Sequence, residues 1–227
     1  MTILRKALLG ASFVAAATCA QAGTIDFTSA ATHTSGTVDG INWTMTTNVG
    51  TLNNSQLFDG QDSLPALSGT GLALQKDGYG VRSSIDNASN DDEITTVRAG
   101  LEAITISFSR PVYFTGIAFL DLFVASGSKI GEVGHAVLSD GTTFAISATD
   151  LANSGGSKRA GYAALSTLGI ITNQVRIYMG LTNDQQGFAD GALASVSVAP
   201  VPVPAAGLML LGGLGGLSAL RRKRKTA

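Results

Sequence analysis

The chain has 227 residues, with 15 lysines and arginines, 16 aspartates and glutamates, and one cysteine. Seven of the basic residues lie at the two chain ends, which leaves eight of them against sixteen acidic residues, a net charge of −8, between those ends. An acidic middle disfavours binding to the phosphate backbone of nucleic acid, and a single cysteine excludes an intrachain disulfide framework.

The first 22 residues have the three-part pattern of a secretory signal peptide. Arg5 and Lys6 form a positive region, residues 7–18 form a short apolar run, and Ala20 and Ala22 form an A-x-A cleavage site. This order disfavours the alternative of a buried N-terminal helix. The residues before Cys19 are not the small-residue box of a lipoprotein, so acylation of that cysteine is the weaker alternative. We expect cleavage after Ala22.

Residues 23–197 predict one all-β domain. Apolar and polar residues alternate with a period of two in a series of short runs, and serine, threonine, glycine and asparagine are plentiful between them. We expect a jelly-roll-like antiparallel β-sandwich of eight to ten strands, with single helical turns over residues 63–68 and 150–153. The predicted strands include residues 41–46, 104–109, 112–119, 133–138, 143–147, 175–179 and 193–198, with a hairpin turn at Asp140-Gly141.

One polar run has the composition of a calcium-binding loop. Ca²⁺ prefers six to eight oxygen ligands that loops often supply, although the spacing here does not match a helix–loop–helix calcium motif. A solvated loop between strands is the alternative, because asparagine and aspartate also favour turns. Asp121 is a further candidate ligand. The candidate calcium ligands in the run are Asp86, Asn90, Asp91, Asp92 and Glu93.

Exposed aromatic rings are the candidates for carbohydrate binding, because sugars stack on them. Tyr79 and Tyr162 have small neighbours and are predicted to lie at the surface, Tyr178 is a further candidate, and Trp43 is in register with Ile41 and is predicted to be core. No catalytic residue is predicted, since no G-x-S-x-G sequence occurs and two separate histidines, His33 and His135, do not make a zinc site. Two alternatives stay open: a secreted polysaccharide hydrolase using Asp91, Glu93 or Glu102, and a structural protein that self-associates through a strand edge.

The C-terminal residues 198–227 have the order of a membrane-sorting tail. A proline-punctuated motif is followed by an uncharged apolar run over residues 206–220 and then by a basic cluster. The run is predicted to be a single transmembrane helix, and the basic cluster is predicted to stay in the cytoplasm. The motif is Val201, Pro202, Val203, Pro204 and Ala205, and the cluster is Arg221, Arg222, Lys223, Arg224 and Lys225.

This tail resembles the PEP-CTERM sorting domains, most closely their VPLPA-type variant, with Val203 where that variant usually has leucine. The resemblance implies an exported Gram-negative bacterial protein that is a substrate of an exosortase-type membrane protease, associated with exopolysaccharide. The protein would be anchored in the inner membrane facing the periplasm and, after processing, reach the cell surface or the medium. Residues 71–122 also resemble a β-sandwich domain often attached to such tails. Signal peptidase, the exosortase and an extracellular polysaccharide are the expected partners.

Overall fold

The computed structural model describes residues 21–31, 33–60, 64–85, 93–98, 100–124, 130–151, 160–181 and 188–202. Within them residues 21–201 belong to one compact unit. The strands are β1 (Gly23–Asp26), β2 (Ser35–Val38), β3 (Ile41–Thr47), β4 (Thr51–Asn53), β5 (Gly80–Arg82), β6 (Thr96–Val97), β7 (Gly100–Leu101), β8 (Ile104–Leu120), β9 (Phe123–Val124), β10 (Val133–Leu138), β11 (Thr143–Ser147), β12 (Asp150–Leu151), β13 (Ala163–Gly180), β14 (Phe188–Ala189) and β15 (Ala192–Pro200), and the helix is α1 (Leu64–Leu67).

Most strands join one large sheet with the order β1-β15-β8-β13-β10-β11, to which β3 adds by pairing with β8, and β2 by pairing with β3. All of these pairs are antiparallel. Three smaller sheets, β4-β5, β6-β7-β14 and β9-β12, complete the set among the described residues. The all-β expectation is therefore confirmed, although the strands divide into one large and three small sheets.

Two long strands divide the large sheet into halves. The first half-sheet consists of β1, β15, residues 112–120 of β8 and residues 163–172 of β13. The second half-sheet consists of β2, β3, β10, β11 and the remaining parts of β8 and β13, residues 104–108 and 174–180. The paired residues of β8 and β13 lose their register between the two halves, and such irregularities bend a strand.

The continuity of β8 corrects the prediction of two separate strands on either side of Pro111. Proline lacks the N–H that a sheet ladder needs, so it normally marks the end of a strand or a bulge. Here Val112 pairs with Thr172 and Ser107 pairs with Gln174, so Pro111 lies in the gap between these pairs, where β13 takes no hydrogen bond from it. The chain continues as one strand because the ladder is already interrupted there.

The main core lies between the two half-sheets. Phe27, which follows β1, meets Trp43 of β3 edge-on at 5.8 Å between ring centroids, and Phe114 of β8 lies 5.9 Å from Phe144 of β11. These pairs join residues from opposite halves of the sheet into one buried cluster. The arrangement is that of a β-sandwich, since each half contributes one face to a shared core.

A second, smaller cluster lies on the outer face of the first half-sheet. Ala118, Leu120 and Ala194 point to this side and are covered by Phe58 and by Leu67 of α1. The helix confirms the predicted helical turn over residues 63–68. The other predicted turn is wrong in its described part, because Asp150 and Leu151 form β12 and pair in parallel with β9.

The hairpin β10–β11 has the predicted ends and the predicted turn. Gly141 adopts a φ of 88°, and the N–H of Leu138 donates to the carbonyl of Thr142 at 2.9 Å. In the part of the chain that the structure describes, no helix has the length and apolar character needed to cross a membrane. The predicted transmembrane helix and the predicted signal peptide lie outside the described residues, apart from Gln21 and Ala22.

Candidate functional site

Small hydroxyl side chains line a groove on the outer face of the first half-sheet. The strand register places Thr24 of β1, Ser197 of β15, Gly116 of β8 and Ser166 of β13 in one row across four strands. Thr24 and Ser166 are exposed and Ser197 is half-buried. The hydroxyls of Thr24 and Ser197 lie 2.9 Å apart. We call this arrangement the hydroxyl groove; its volume is about 290 Å³.

The centre of the groove is shaped by Gly116 and Thr115. A side chain on Gly116 would extend over the groove floor, with its Cβ 3.1 Å from the carbonyl oxygen of Leu165 and 3.6 Å from Cβ of Ser197. Thr115 falls between two successive pairs of β8 and β15, because the register shifts between Ser197 and Val198. Its Oγ1 is buried and has no hydrogen-bond partner among the described residues. The groove floor therefore combines a glycine with a threonine whose hydroxyl is enclosed.

Tyr162 lines the hydroxyl groove and is half-buried. It packs against the second hydrophobic cluster, which fixes its ring. It also lines a second groove of about 360 Å³, together with Ala145, Ser147 and Thr149. Tyr162 is thus shared by two adjoining grooves, each near the lower end of the ~300–1,000 Å³ that small-molecule sites occupy.

The loop that borders the hydroxyl groove is held by one carboxylate. Asp26 accepts hydrogen bonds from the backbone N–H of Thr28 and of Ala73, each at 2.8 Å, and from the Thr28 hydroxyl at 2.7 Å. Thr70, which lines the groove, donates to the carbonyl of Leu67 at 2.9 Å. Asp26 therefore fixes the wall of the groove, and three donors satisfy its oxygens.

Of the two tyrosines predicted to bind sugar, only Tyr162 lies at the surface. The prediction that Tyr79 is a surface residue is wrong, since its side chain is 3% exposed and packs edge-on against Phe27 at 5.7 Å. Its N–H and carbonyl exchange hydrogen bonds with Leu193, and burial raises the pKa of its phenol. The prediction that Trp43 is core is confirmed, with 6% exposure.

The candidate calcium ligands Asp86, Asn90, Asp91 and Asp92 lie outside the described residues. Glu93 is described and half-buried, and its carbonyl accepts the N–H of Val81. Asp121 adopts a positive φ of 59° in the turn after β8, where its N–H donates to the carbonyl of Ala160. Among the described residues no group of three or more histidine, cysteine, aspartate or glutamate side chains is arranged to hold a metal ion. Calcium binding by the loop stays a prediction.

Glu102, named as a candidate acid for hydrolysis, is fully buried. Its carboxylate accepts hydrogen bonds from the hydroxyl of Ser83 and from the backbone N–H of Thr95, the latter at 2.7 Å. A carboxyl enclosed in this way cannot reach a polysaccharide. Its role is structural, because it links Ser83, which follows β5, to Thr95, which precedes β6.

The carboxyl pair Glu132 and Asp190 was not predicted from the sequence. Glu132 is 9% exposed and accepts the backbone N–H of Phe123 at 2.7 Å and of Asp190 at 3.3 Å. Burial, and then the adjacent Asp190 carboxyl, raise the pKa of Glu132 from 4.5 to about 9. The pair is separated by 58 positions in the chain, so no local pattern could have revealed it. Neither groove includes these residues.

Of the predicted sorting tail, the structure describes only Val201 and Pro202, which follow directly after β15. Val203, Pro204, Ala205 and the basic cluster at residues 221–225 lie outside the described residues, as does Ala20 of the predicted cleavage site. The exposed Ala22 is described and lines the hydroxyl groove.

No protein-family model matches the chain, and no curated protein matches it. Three solved structures from Clostridium perfringens are distantly similar. The module CpGH89CBM32-5, in complex with GalNAc-β-1,3-galactose, has a TM-score of 0.30 and 15% identity and covers 68% of this chain and 94% of its own. The family 32 carbohydrate-binding module of NanJ, in complex with galactose, has a TM-score of 0.31 and 11% identity over 68% and 93%. CBM32-3 from a family 31 glycoside hydrolase has a TM-score of 0.28 and 17% identity over 44% and 67%. Likenesses this distant establish neither a shared family nor a shared ligand.

Proposed function

We propose that the described domain is a non-enzymatic carbohydrate-binding module and that the hydroxyl groove with Tyr162 is its ligand site. The observation that supports this most is the position of Tyr162, a fixed and half-buried ring shared by two grooves of small and hydroxyl-bearing residues. A sugar presents hydroxyls on its edges and apolar C–H groups on its faces. A ring beside aligned hydroxyls meets both requirements, with polar groups fixing orientation and an apolar surface providing contact area.

The chemistry of the groove favours binding over hydrolysis. Glycoside hydrolysis needs two carboxyls on either side of the scissile bond, ~5–10 Å apart. Among the described residues, no acidic side chain lines either groove. Glu102 is enclosed and Glu132 is almost so, and neither faces a groove. A ligand in the hydroxyl groove would meet hydroxyls, backbone and one aromatic ring, none of which is a general acid.

We further propose that the protein is exported, is sorted through its C-terminal tail by an exosortase-type protease, and acts at the cell surface or in extracellular material. The signal peptide pattern at residues 1–22 and the Pro motif, apolar run and basic end at residues 201–225 support this. Polysaccharide in the extracellular matrix is then the natural ligand of the domain. The intact mass of the protein from membranes and from medium would test the sorting, since release requires loss of the basic cluster.

Self-association is a second candidate function, favoured by one edge of the large sheet. β11 is last in the strand order of the described residues and its sequence, TFAIS, carries no charge. Charged side chains usually protect such edges from pairing. A monomer by light scattering at high protein concentration would remove this candidate without affecting sugar binding.

Affinity electrophoresis of the full chain in mild detergent tests the carbohydrate proposal. Galactan, mannan and β-glucan, each embedded in a native gel, are compared with a gel without polysaccharide. We expect at least one to slow the protein, and Tyr162→Ala to restore its mobility. Tyr113→Ala is the matched control, since Tyr113 is a half-buried tyrosine of β8 that lines neither groove. Unchanged mobility in all three gels, or equal retardation of Tyr162→Ala and the wild type, would refute the proposed site.

A further inference from the structure

The outer face of the second half-sheet carries a row of stacked side chains. His135 of β10 and Tyr178 of β13 are register partners, and their rings stack with centroids 5.0 Å apart and an interplanar angle of 15°. Arg176, two residues before Tyr178 on the same side of β13, places its guanidinium carbon 5.3 Å from the centroid of the tyrosine ring. The three side chains form an ordered His135–Tyr178–Arg176 stack on an open sheet.

The stack is held in place from the sheet side. A Cβ on Gly180 would lie 2.4 Å from Nε2 of His135, so the glycine makes the room in which the imidazole lies. Nδ1 of His135 is buried and has no hydrogen-bond partner among the described residues. The imidazole therefore serves as packing for Tyr178, and the tyrosine in turn supports the guanidinium by a cation–π contact.

Arg176 is exposed and has no acidic partner among the described residues. The outward positions of β2, β3, β8, β10, β11 and β13 in this half-sheet hold no aspartate or glutamate. Asp140, at the tip of the β10–β11 hairpin, accepts the N–H of Thr142 at 2.9 Å and its hydroxyl at 3.0 Å. Although the domain has a net charge of −8, the described strands of this half-sheet place no acidic side chain beside Arg176.

Hydroxyl groups extend the row beyond the arginine. Thr105 of β8 is the register partner of Arg176, and Thr46 of β3 is the register partner of Thr105. Both threonines point outward between buried residues, and their side chains hydrogen-bond to no described protein atom. A guanidinium stacked on a ring keeps its in-plane N–H donors available, and these match a carboxylate in a bidentate pair.

We infer that the face formed by Arg176, Tyr178, His135, Thr105 and Thr46 binds a carboxylate-bearing sugar of an acidic polysaccharide, at a site separate from the hydroxyl groove. The guanidinium takes the carboxylate and the two threonines take ring hydroxyls. A single arginine on an acidic domain does not suit a polyphosphate, whose binding rests on several cations. One charge next to neutral hydroxyl groups suits a uronic acid unit, which carries one carboxylate among several hydroxyls.

The test is calorimetric titration of the full chain in mild detergent with an oligogalacturonate, and with the same oligomer after reduction of its carboxyls to alcohols. We expect binding of the acidic oligomer only. Arg176→Gln should weaken it about tenfold, the usual effect of losing a hydrogen bond to a charged group. Arg176→Lys should weaken it by a smaller factor, because lysine keeps the charge and loses the planar fork.

Arg110→Gln is the matched control, since Arg110 is an exposed arginine on β8 outside this face. It should change the affinity less than twofold, as should Tyr162→Ala, whereas Tyr178→Ala should weaken binding by releasing the guanidinium. Circular dichroism of each variant establishes that it is folded.

Equal losses of affinity in Arg176→Gln and Arg110→Gln would overturn the inference in favour of general electrostatic attraction. Wild-type protein that binds neither oligomer, or binds the reduced one equally well, would also overturn it. Because Tyr162→Ala reports on the hydroxyl groove alone, failure of one site is distinguishable from failure of the other.

Discussion

Replacement of Glu132 by glutamine should remove a pH dependence of stability that the Glu132–Asp190 pair creates. The pKa of Glu132 rises from 4.5 in the unfolded chain to about 9 in the folded protein, chiefly because the carboxyl is buried and then because Asp190 is adjacent. Between these two values the folded state binds the proton and the unfolded state does not. The free energy of unfolding therefore falls as pH rises from 5 towards 9.

The magnitude follows from proton linkage. One proton held only by the folded state changes the free energy of unfolding by about 1.4 kcal/mol per pH unit. Since Glu132 shares its proton with a coupled neighbour, we expect on the order of 1 kcal/mol per pH unit between pH 5 and 8. Glutamine carries no titrating proton, and its carbonyl oxygen can still accept the N–H of Phe123. Glu132→Gln should therefore be more stable than the wild type at pH 8 and similar to it at pH 5.

Urea unfolding of the full chain, followed by tryptophan fluorescence at pH 5, 6, 7 and 8, measures this directly. The single Trp43 is buried in the core, so its emission reports the loss of the packed domain. Asp59→Asn is the control, since Asp59 is exposed and its carboxyl hydrogen-bonds to none of the described residues. If Glu132→Gln keeps the wild-type slope, or Asp59→Asn flattens the slope equally, the assignment of the pH dependence to this pair is wrong.

Three further predictions concern the core and the stacked face. Gly78→Ala should lower the free energy of unfolding by at least about 2 kcal/mol, because Gly78 has a φ of 128° and an added Cβ would lie 2.5 Å from the carbonyl oxygen of Leu193. Gly141→Ala is the control, because Gly141 has a φ of 88° and an added Cβ there would have no atom within 4 Å; it should lower the free energy of unfolding by about 1 kcal/mol. Equal losses in the two variants, measured by urea unfolding, would refute the role of the close approach between Gly78 and Leu193. Trp43→Ala should cost about 3–5 kcal/mol by removing a buried ring that meets Phe27, and thermal unfolding close to that of the wild type would contradict the proposed core. Burial lowers the pKa of His135 below its ordinary 6.5. The stability that the neutral imidazole provides is therefore present above pH 6.5 and is lost as pH falls through the pKa of the folded protein. An NMR titration midpoint at or above 6.5 would show that the imidazole is not buried in the stack.

The strands that were predicted well from the sequence are those with one buried and one exposed face, because their apolar and polar residues alternate. β10 and β11 each have one buried and one outward side. The Asp140-Gly141 pair that joins them favours a tight hairpin turn, in which Gly141 adopts a positive φ. Local alternation was sufficient there. The length of β8 was not predictable in this way. A strand can contain Pro111 here only because the hydrogen-bonded pairing with β13 is interrupted at that point, and β13 lies more than fifty residues away in the chain.

The candidate site depends on register, which a single sequence shows poorly. Thr24, Gly116, Ser166 and Ser197 belong to four different strands, and only their pairing brings them into one row. Tyr79 was misplaced for a related reason. Its small neighbours suggest a surface loop, whereas Gly78 actually permits the close approach of Leu193 that buries the ring. Tyr162 was identified correctly as a surface ring, but nothing near it in the sequence shows that two grooves meet there.

The hydroxyl groove is tested most directly by chemical-shift mapping of the full chain in mild detergent. The protein is titrated with oligosaccharides of the neutral polysaccharide that slows it most in the gels. We expect the largest shifts at Thr24, Thr115, Tyr162, Ser166 and Ser197, with little change along β10 and the second half of β13. Shifts confined to other surfaces, or none at saturating sugar, would contradict the assignment of the hydroxyl groove as the carbohydrate site.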